Sequence, residues 1–181
     1  MRAAVALVAE RGTAAVPISD IAEAADVSRQ VVYQQFGDRD TLLLEAALDL
    51  ARRELVGDRS QRLTGRDRAL LMARHFAEHR LFYRALLTGS CGFALNRALS
   101  GLFSAFNRQV VDQLHGGRLD PQTAEDVATF LTGGGAAVVN SWVVEGEDPL
   151  DPEEFADRLM RLGAVVTAAM RPVTHDEEPP R

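Results

Sequence analysis

The first group of residues with metal-binding chemistry is a pair of histidines with a glutamate, His75, Glu78 and His79. On a helix, His75 and His79 lie one turn apart on one face, and the order H-x-x-E-H is that of the inverted zinc peptidases. Such an enzyme needs a third protein ligand, which the sequence does not identify. A metal-dependent hydrolase therefore stays open as an alternative. We expect instead that these residues pack or line a pocket beside Phe76 and Phe82, with no bound metal or other cofactor.

A second group of side chains, near residue 30, has the chemistry to contact nucleic-acid bases. Gln can form two hydrogen bonds to adenine, Arg can do so to guanine, and Val can touch the methyl group of thymine. The candidates for base contacts are Arg29, Gln30, Val31, Gln34 and Gln35. Hydroxyl and guanidinium groups also bind phosphate oxygens, and the candidates for that role are Ser19, Ser28, Tyr33 and Arg39.

The elements that must position this second group are short helices joined by a tight turn. The pattern predicts a first helix over Arg2 to Arg11 that ends at Gly12. One face of a second helix holds Ile18, Ile21, Ala22 and Ala25. Val27 is expected in the core, Ser28 is a good N-cap, and Val32 and Phe36 face inward from a third helix. Two helices joined in this way form a helix-turn-helix, whose second helix can enter the major groove of DNA.

The rest of the chain is also predicted to be helical, so the fold class is all-α. Asp38 caps a fourth helix that reaches about Leu55, and a polar loop follows. Further helices are predicted over 67–87 (as one or two), 93–114, 121–144 and from 152 to just before Pro172. We expect a DNA-binding domain over residues 1–56, a larger helical domain over 57–172 and a disordered tail over 173–181.

Composition limits the class of protein. The 181 residues carry a net charge of −6, and all 20 basic residues are arginine, so the chain is a poor candidate for indiscriminate binding to nucleic acid. Cys91 is the only cysteine, which excludes an intrachain disulfide and favours a small buried side chain. We find no apolar run near the ~20 residues of a membrane span and no signal peptide, and therefore expect a cytoplasmic protein without membrane contact.

Three consecutive glycines, Gly133, Gly134 and Gly135, lie inside the helix predicted over 121–144. A phosphate-binding loop is excluded because no strand precedes them and no Lys-Ser/Thr follows. Each glycine costs a helix about 1 kcal/mol relative to alanine, so close approach of another helix is the expected purpose.

The first 50 residues resemble the TetR family of bacterial transcriptional regulators. The matching positions are Glu10, Arg11, Gly12, Ile18, Asp20, Ile21, Ala22, Ala25, Val27, Ser28, Tyr33, Phe36, Arg39, Asp40, Thr41 and Leu42. Asp26 and Gln30 depart from the pattern, since small residues, often glycine, are frequent there.

The resemblance implies a homodimer that binds double-stranded palindromic operator DNA and is released by an unknown small-molecule effector; we expect a repressor and no enzyme. In this family the last two helices commonly form the dimer interface. The expected interface residues are Gly133, Gly134, Ala137, Phe155, Leu159, Leu162, Gly163 and Val166. The expected effector-contacting residues are Met72, His75, Phe76, His79, Tyr83, Phe103, Phe106, Asn107, Asn140 and Trp142. A helical interaction module that does not bind DNA stays open as an alternative.

Overall fold

The computed structural model describes the backbone of residues 1–56, 63, 65–115 and 118–169, and the side chains of the same residues except 105, 106, 114, 115 and 169. Within these ranges the chain forms helices and no strand, which confirms the all-α prediction. The predicted domain boundary after residue 56 and the predicted tail over 173–181 lie outside the described residues.

Four helices form the N-terminal part of the chain. They are α1 (Arg2–Arg11), α2 (Ile18–Ala24), α3 (Arg29–Phe36) and α4 (Arg39–Leu55). The first ends where predicted, because Gly12 adopts a left-handed conformation (φ 64°) and its N–H donates to the Val8 carbonyl at 2.9 Å.

The remaining helices of the described chain are α5 (Gly65–Glu78), α6 (Arg80–Leu87), α7 (Gly92–His115), α8 (Pro121–Glu145) and α9 (Pro152–Ala169). The segment predicted as one or two helices over 67–87 is two, and His79 separates them. α8 begins as the sequence predicts, because Asp120 accepts hydrogen bonds from the backbone N–H groups of Gln122 and Thr123 and Pro121 takes the first helical position.

The turn between α2 and α3 is a Schellman motif with an unusual residue at its centre. The Val27 N–H donates to the Ala22 carbonyl and the Asp26 N–H donates to the Glu23 carbonyl, both at 3.0 Å. Asp26 holds a positive φ of 53°, a conformation that usually favours glycine. The prediction that Val27 lies in the core is wrong, because the residue is 42% exposed.

One hydrophobic core runs from the first helices into the later ones. It contains Val8 and Ile21 from α1 and α2, Leu43 from α4, and Phe82 and Leu95 from α6 and α7. α1 packs against α6 as well as α4, and α4 packs against α5 and α7. The helix-turn-helix is therefore attached to the later helices by shared packing.

Polar contacts fasten the C-terminal helices to one another. On α5, Arg66 forms ion pairs with Glu153 and Asp157 of α9 at 2.9 and 2.6 Å. The buried Arg80 of α6 donates to the Val143 carbonyl at 3.0 Å, and also to the Gly146 carbonyl and the Asp148 carboxylate. These bonds fix the α8–α9 loop against α6.

Within the described chain, α8 is long and apolar enough, by length and composition, to cross a membrane. Residues 127–144 carry no charge, so the expectation of no apolar run of this length is wrong. In the most apolar 18-residue stretch of α8, only 22% is buried inside the protomer. Thr132 and Asn140 nevertheless form side-chain hydrogen bonds with Asn107 and Asn96 of α7. An apolar face of α8 is thus left uncovered by this chain.

Candidate nucleic-acid interface

The recognition helix, α3, is built by one side-chain cap and one buried anchor. Ser28 precedes it in an extended conformation, and its hydroxyl oxygen accepts a hydrogen bond from the Val31 N–H at 3.3 Å. Val32 is 5% exposed and Phe36 is half-buried against the core, as predicted. The opposite face of α3 is therefore held outward by the packing of these two residues.

All five predicted base-contacting side chains are exposed: Gln30, Val31, Gln34 and Gln35 lie on that outward face, and Arg29 lies in the first turn of α3. The exposed residues of α3 are Arg29, Gln30, Val31, Tyr33, Gln34 and Gln35. Val31 and Tyr33 are 46% and 53% exposed, which is unusual for an apolar and an aromatic side chain inside a compact domain. A short helix with donors, acceptors and an apolar contact on one open face has what direct reading of a major groove requires.

The predicted phosphate contacts border the same surface. Ser19 is exposed in the first turn of α2, where its hydroxyl donates to Asp20 at 2.9 Å. Arg39 begins α4 and donates from Nε and Nη2 to Oδ1 of Asp40, both at 3.2 Å. Its side chain is 36% exposed, so the guanidinium is paired and also reachable from solvent.

An ion pair fixes α2 against α1. Arg11 Nη1 lies 2.6 Å from Asp20 Oδ2. The hydrogen bond from Arg11, with a second from Ser19, holds the pKa of Asp20 below its ordinary value. The pair links the last turn of α1 to the first turn of α2.

A contact that the sequence analysis missed joins this surface to the later helices. Ser90, in the turn between α6 and α7, donates to Asp40 Oδ2 at 2.7 Å. The neighbouring Gly89 packs closely on Ala14, since a Cβ there would lie 3.2 Å from Ala14 Cβ and 2.9 Å from the Ala85 carbonyl oxygen. Asp40 and Ser90 are 50 positions apart in the sequence, and no periodic pattern between them could have revealed the pair.

The two histidines of the H-x-x-E-H pattern meet a carboxylate that the sequence analysis did not identify. Glu54 Oε2 lies 2.7 Å from His75 Nδ1 and 3.1 Å from His79 Nε2. The Tyr83 hydroxyl lies 2.8 Å from His75 Nε2 and 3.4 Å from the Ala47 carbonyl. Glu78, the carboxylate of the pattern, is exposed.

Burial and pairing set the charges of this cluster. Burial lowers the pKa of His75 below its ordinary value and outweighs the opposing effect of Glu54. Burial also acts to raise the pKa of Glu54, but hydrogen bonds and charge from the histidines outweigh it, so the pKa of Glu54 is lowered. Burial raises the pKa of Tyr83 well above its ordinary value. Glu54 is thus a carboxylate and His75 a neutral imidazole at neutral pH.

Several of the expected effector-contacting residues pack against one another and do not line an open pocket. Phe76 and Tyr83 are 5% and 0% exposed, with ring centroids 4.8 Å apart. Asn107 donates to Thr132 at 2.7 Å, and Asn140 donates to Asn96 at 2.5 Å. Four further members are partly buried, namely Met72, His79, Phe103 and Trp142. The Phe106 side chain lies outside the described residues.

A surface pocket of about 290 Å³ lies beside the α8–α9 loop. Trp142 is the one expected effector contact that lines it; the other lining residues are Glu147, Pro149, Leu150, Asp151, Glu154, Phe155 and Arg158. Its volume lies at the lower limit of known small-molecule sites.

The expected dimer residues differ in how deeply the protomer buries them. Gly133, Gly134 and Ala137 are exposed on one face of α8, and Leu162 and Gly163 are exposed on α9. Val166 and Leu159 are partly buried. Phe155 is a correction: it is 2% exposed and stacks on Trp142 at 3.9 Å between ring centroids, so the protomer itself uses this side chain.

Comparison with known proteins agrees with this geometry. Residues 1–46 match the model for bacterial regulatory proteins of the tetR family, and residues 67–163 match a model described as a transcriptional regulator C-terminal region. A search of curated protein sequences gives no match.

Two solved structures share the fold over most of their length. The dihydroxyacetone kinase operon activator DhaS is 17% identical, with a TM-score of 0.62 over 94% of this chain and 95% of that one. A TetR-family transcriptional regulator from Rhodococcus sp. is 23% identical, with a TM-score of 0.59 over 92% of this chain and 95% of that one.

An exposed recognition helix joined to a regulator C-terminal region defines a DNA-binding transcriptional regulator. Members of this class read DNA through the helix-turn-helix and carry a helical domain behind it. The chain belongs to the TetR family, as its resemblance predicted, and that family consists of transcriptional regulators.

Proposed function

We propose that this chain acts in the cytoplasm as a homodimeric repressor, not as an enzyme, and that a small molecule releases it from a palindromic operator. The observation that carries the proposal is the outward face of α3. Base-edge contacts are assigned to Arg29, Gln30, Val31, Gln34 and Gln35, and phosphate contacts to Ser19, Ser28, Tyr33 and Arg39.

The acidity of the chain is compatible with this role because few phosphate contacts are needed. Ser28 and Asp38 cap helices whose N-termini point backbone N–H groups outward, and a helix N-terminus favours an anion. Arg39 adds a charged donor at the start of α4. Affinity should therefore depend on base contacts and on dimer geometry more than on overall charge.

The dimer is supported by a surface that one protomer leaves uncovered. Phe130 is 70% exposed on α8, and Gly133, Gly134 and Ala137 continue the same face. On α9, residues 160–165 are all exposed, including Val165 at 68% and Leu162 at 41%. Apolar helices open on several sides are stabilised when a second copy buries them, and two-fold pairing is the commonest way to do so.

The glycines in α8 support the same surface. A Cβ built on Gly133, Gly134 or Gly163 meets nothing within 4 Å inside the protomer. The protomer therefore gives no reason for residues that each cost a helix about 1 kcal/mol. A partner helix that approaches closely supplies the reason, and Phe155 is left out of this interface because it is buried.

Release by an effector requires that the effector bind the non-DNA-binding state more tightly than the DNA-binding state. The aromatic cluster around Phe76 and Tyr83 would have to open to admit it, whereas the pocket beside Trp142 is open already. The Asp40–Ser90 bond and the shared core provide physical contact between either region and α4.

The test is selection of DNA from random duplexes by the full chain. We expect enrichment of a palindrome whose half-sites are about 34–36 Å apart, one turn of DNA, or somewhat more. Enrichment of no sequence at any protein concentration, by a dimer that is folded by circular dichroism, would instead identify a helical interaction module.

A further inference from the structure

A possible metal-ligand set connects the end of α4 to the junction of α5 and α6. Glu54 lies in the last turn of α4, His75 in the last turn of α5, and His79 between α5 and α6. One ligand atom from each residue lies within 4.8 Å of the other two. We propose that these three side chains bind one divalent transition-metal ion of the zinc type, and that the ion regulates DNA binding through α4.

The chemistry of the donors selects the class of ion. Two imidazole nitrogens with one carboxylate suit zinc and neighbouring transition metals, whereas magnesium and calcium prefer oxygen donors. In a tetrahedral zinc site with ligand bonds of about 2.0–2.2 Å, donor atoms stand about 3.3 Å apart. Glu54 Oε2 now lies 2.7 and 3.1 Å from the two histidine nitrogens. The two histidine nitrogens lie within 4.8 Å of each other. No donor–donor distance therefore has to change by more than about 1.5 Å to admit an ion.

Tyr83 can hold His75 in the form that a metal needs. The Tyr83 hydroxyl contacts both His75 Nε2 and the Ala47 carbonyl. Without an ion, His75 donates from Nδ1 to Glu54 and accepts at Nε2 from Tyr83. With an ion on Nδ1, the Nε2–H donates to the Tyr83 oxygen, and Tyr83 donates to Ala47. Outer partners of this kind orient metal-bound histidines in known sites.

The site has a route to solvent and room for a further ligand. The His75 side chain is 1% exposed, that of His79 is 19% exposed, and that of Glu54 is 39% exposed. An ion can enter beside Glu54 and His79 while His75 forms the buried wall. With three protein ligands, a tetrahedral ion also keeps a fourth position for water or an effector atom, as in catalytic zinc sites.

The position of the site on α4 gives it a regulatory use. α4 has 17 residues and is about 25 Å long at 1.5 Å per residue. Glu54 is at one end, and Arg39 begins the other end beside the recognition helix. An ion held jointly by Glu54 and the two histidines fixes one end of this helix against α5. This regulatory part of the inference rests on the proposed function, whereas metal binding itself does not.

The first experiment measures metal binding by the full-length, untagged protein after treatment with a chelator. Zn²⁺ is titrated by calorimetry, and Co²⁺ is titrated while the visible absorption of a low-symmetry site is recorded. We expect one ion per protomer. His79→Gln and Glu54→Gln each remove a ligand and should weaken binding more than roughly 100-fold, beyond the 10–100-fold cost of losing an outer partner.

Glu78→Gln is the matched control. Glu78 is the exposed glutamate of the H-x-x-E-H pattern and lies next to His79 in sequence, yet it is not one of the three converging ligands. This variant should bind Zn²⁺ as the wild type does. No bound ion in the wild type, or equal binding by Glu54→Gln and the wild type, would overturn the site. Circular dichroism of each variant separates loss of a ligand from loss of the fold.

The second experiment measures affinity for the selected operator with Zn²⁺ and with chelator. We expect a change of at least about fivefold, the lower range of measured couplings between sites. The change should disappear in His79→Gln and persist in Glu78→Gln. Stoichiometric metal binding with unchanged operator affinity would overturn the regulatory part. Failure to select any operator would instead overturn the proposed function, while the metal titration would still stand.

Discussion

The Ser90 hydroxyl donates a 2.7 Å hydrogen bond to Oδ2 of Asp40, and the other oxygen of that carboxylate accepts from Arg39. Asp40 lies in the first turn of α4, immediately after the recognition helix, whereas Ser90 belongs to the turn between α6 and α7. A candidate phosphate-binding guanidinium is therefore tied, through one carboxylate, to the C-terminal helices.

Arg39→Gln should weaken binding to all DNA sequences by a similar factor. In the proposed assignment the guanidinium contacts phosphate rather than base edges, so the plot of log affinity against log salt should become flatter by about one unit. Fluorescence anisotropy at several salt concentrations measures both quantities. A variant that changed the preferred operator would show that Arg39 contacts bases.

Gln34→Ala should relax base preference at one operator position. A bidentate contact from Gln to adenine contributes about 1–3 kcal/mol of discrimination against the wrong base. Repeated selection from random duplexes checks this, with Gln109→Ala, an exposed glutamine on α7, as the control. Equal weakening at every sequence would remove Gln34 from the base-reading set.

Gly134→Leu should weaken the dimer without harming the protomer. A Cβ at this position meets nothing within 4 Å in the protomer. In the proposed dimer a leucine would separate two closely packed helices, at a cost of about 1–3 kcal/mol. Sedimentation analysis should show a shift toward monomer. Gly101→Leu is the matched control, since that exposed helical glycine on α7 also has no neighbour within 4 Å. Identical association of the two variants would argue against an interface at α8.

Asp26→Gly should stabilise the protein. Asp26 holds φ at 53°, where a side chain is strained and glycine is not, and the relief is about 0.5–1 kcal/mol after allowing for the freer unfolded chain. Urea unfolding should show a higher midpoint with an unchanged slope. Asp26→Val should lower the midpoint, because a β-branched residue tolerates this conformation least.

Asp20→Asn should reduce stability at neutral pH and lose its effect in acid. The hydrogen bond from Arg11 lowers the pKa of Asp20 in the folded state. At pH values between the folded and the unfolded pKa, the unfolded chain therefore holds more protons on this carboxyl than the folded chain does. The contribution is complete above the unfolded value of about 3.9 and is lost as pH falls through the lower folded pKa. Urea midpoints of wild type and variant should converge below that pH. Glu23→Gln removes one charge from the same helix and controls for net charge.

The sequence predicted the helices well where caps define their ends. A cap hydrogen bond to the backbone marks the end of α1 at Gly12 and the beginnings of α3, α4 and α8 at Ser28, Asp38 and Asp120. The predicted helix ends agree with the structure at these positions. The outward face of α3 was also predictable, because Val32 and Phe36 are one turn apart and can bury only one side.

Contacts between distant parts of the chain were not predictable. Glu54 is 21 residues from His75, and nothing in their spacing indicates that α4 and α5 bring them together. Phe155 was assigned to the wrong apolar surface because helical periodicity identifies an apolar side chain without saying whether the same chain or a partner buries it. Val27 was misplaced because its apolar character alone does not say how deeply a residue of a tight turn is buried.

The core shared by α1, α4 and α6 limits how freely the two halves of this protein can be exchanged. Val8 and Leu43 are fully buried in the same cluster as Phe82 and Leu95. A chimera that joins these first helices to another regulator's C-terminal helices would place mismatched side chains at that seam and lose packing on both sides. Transplanting the DNA specificity of this chain therefore calls for grafting the exposed residues of α3 alone, since they take no part in the seam.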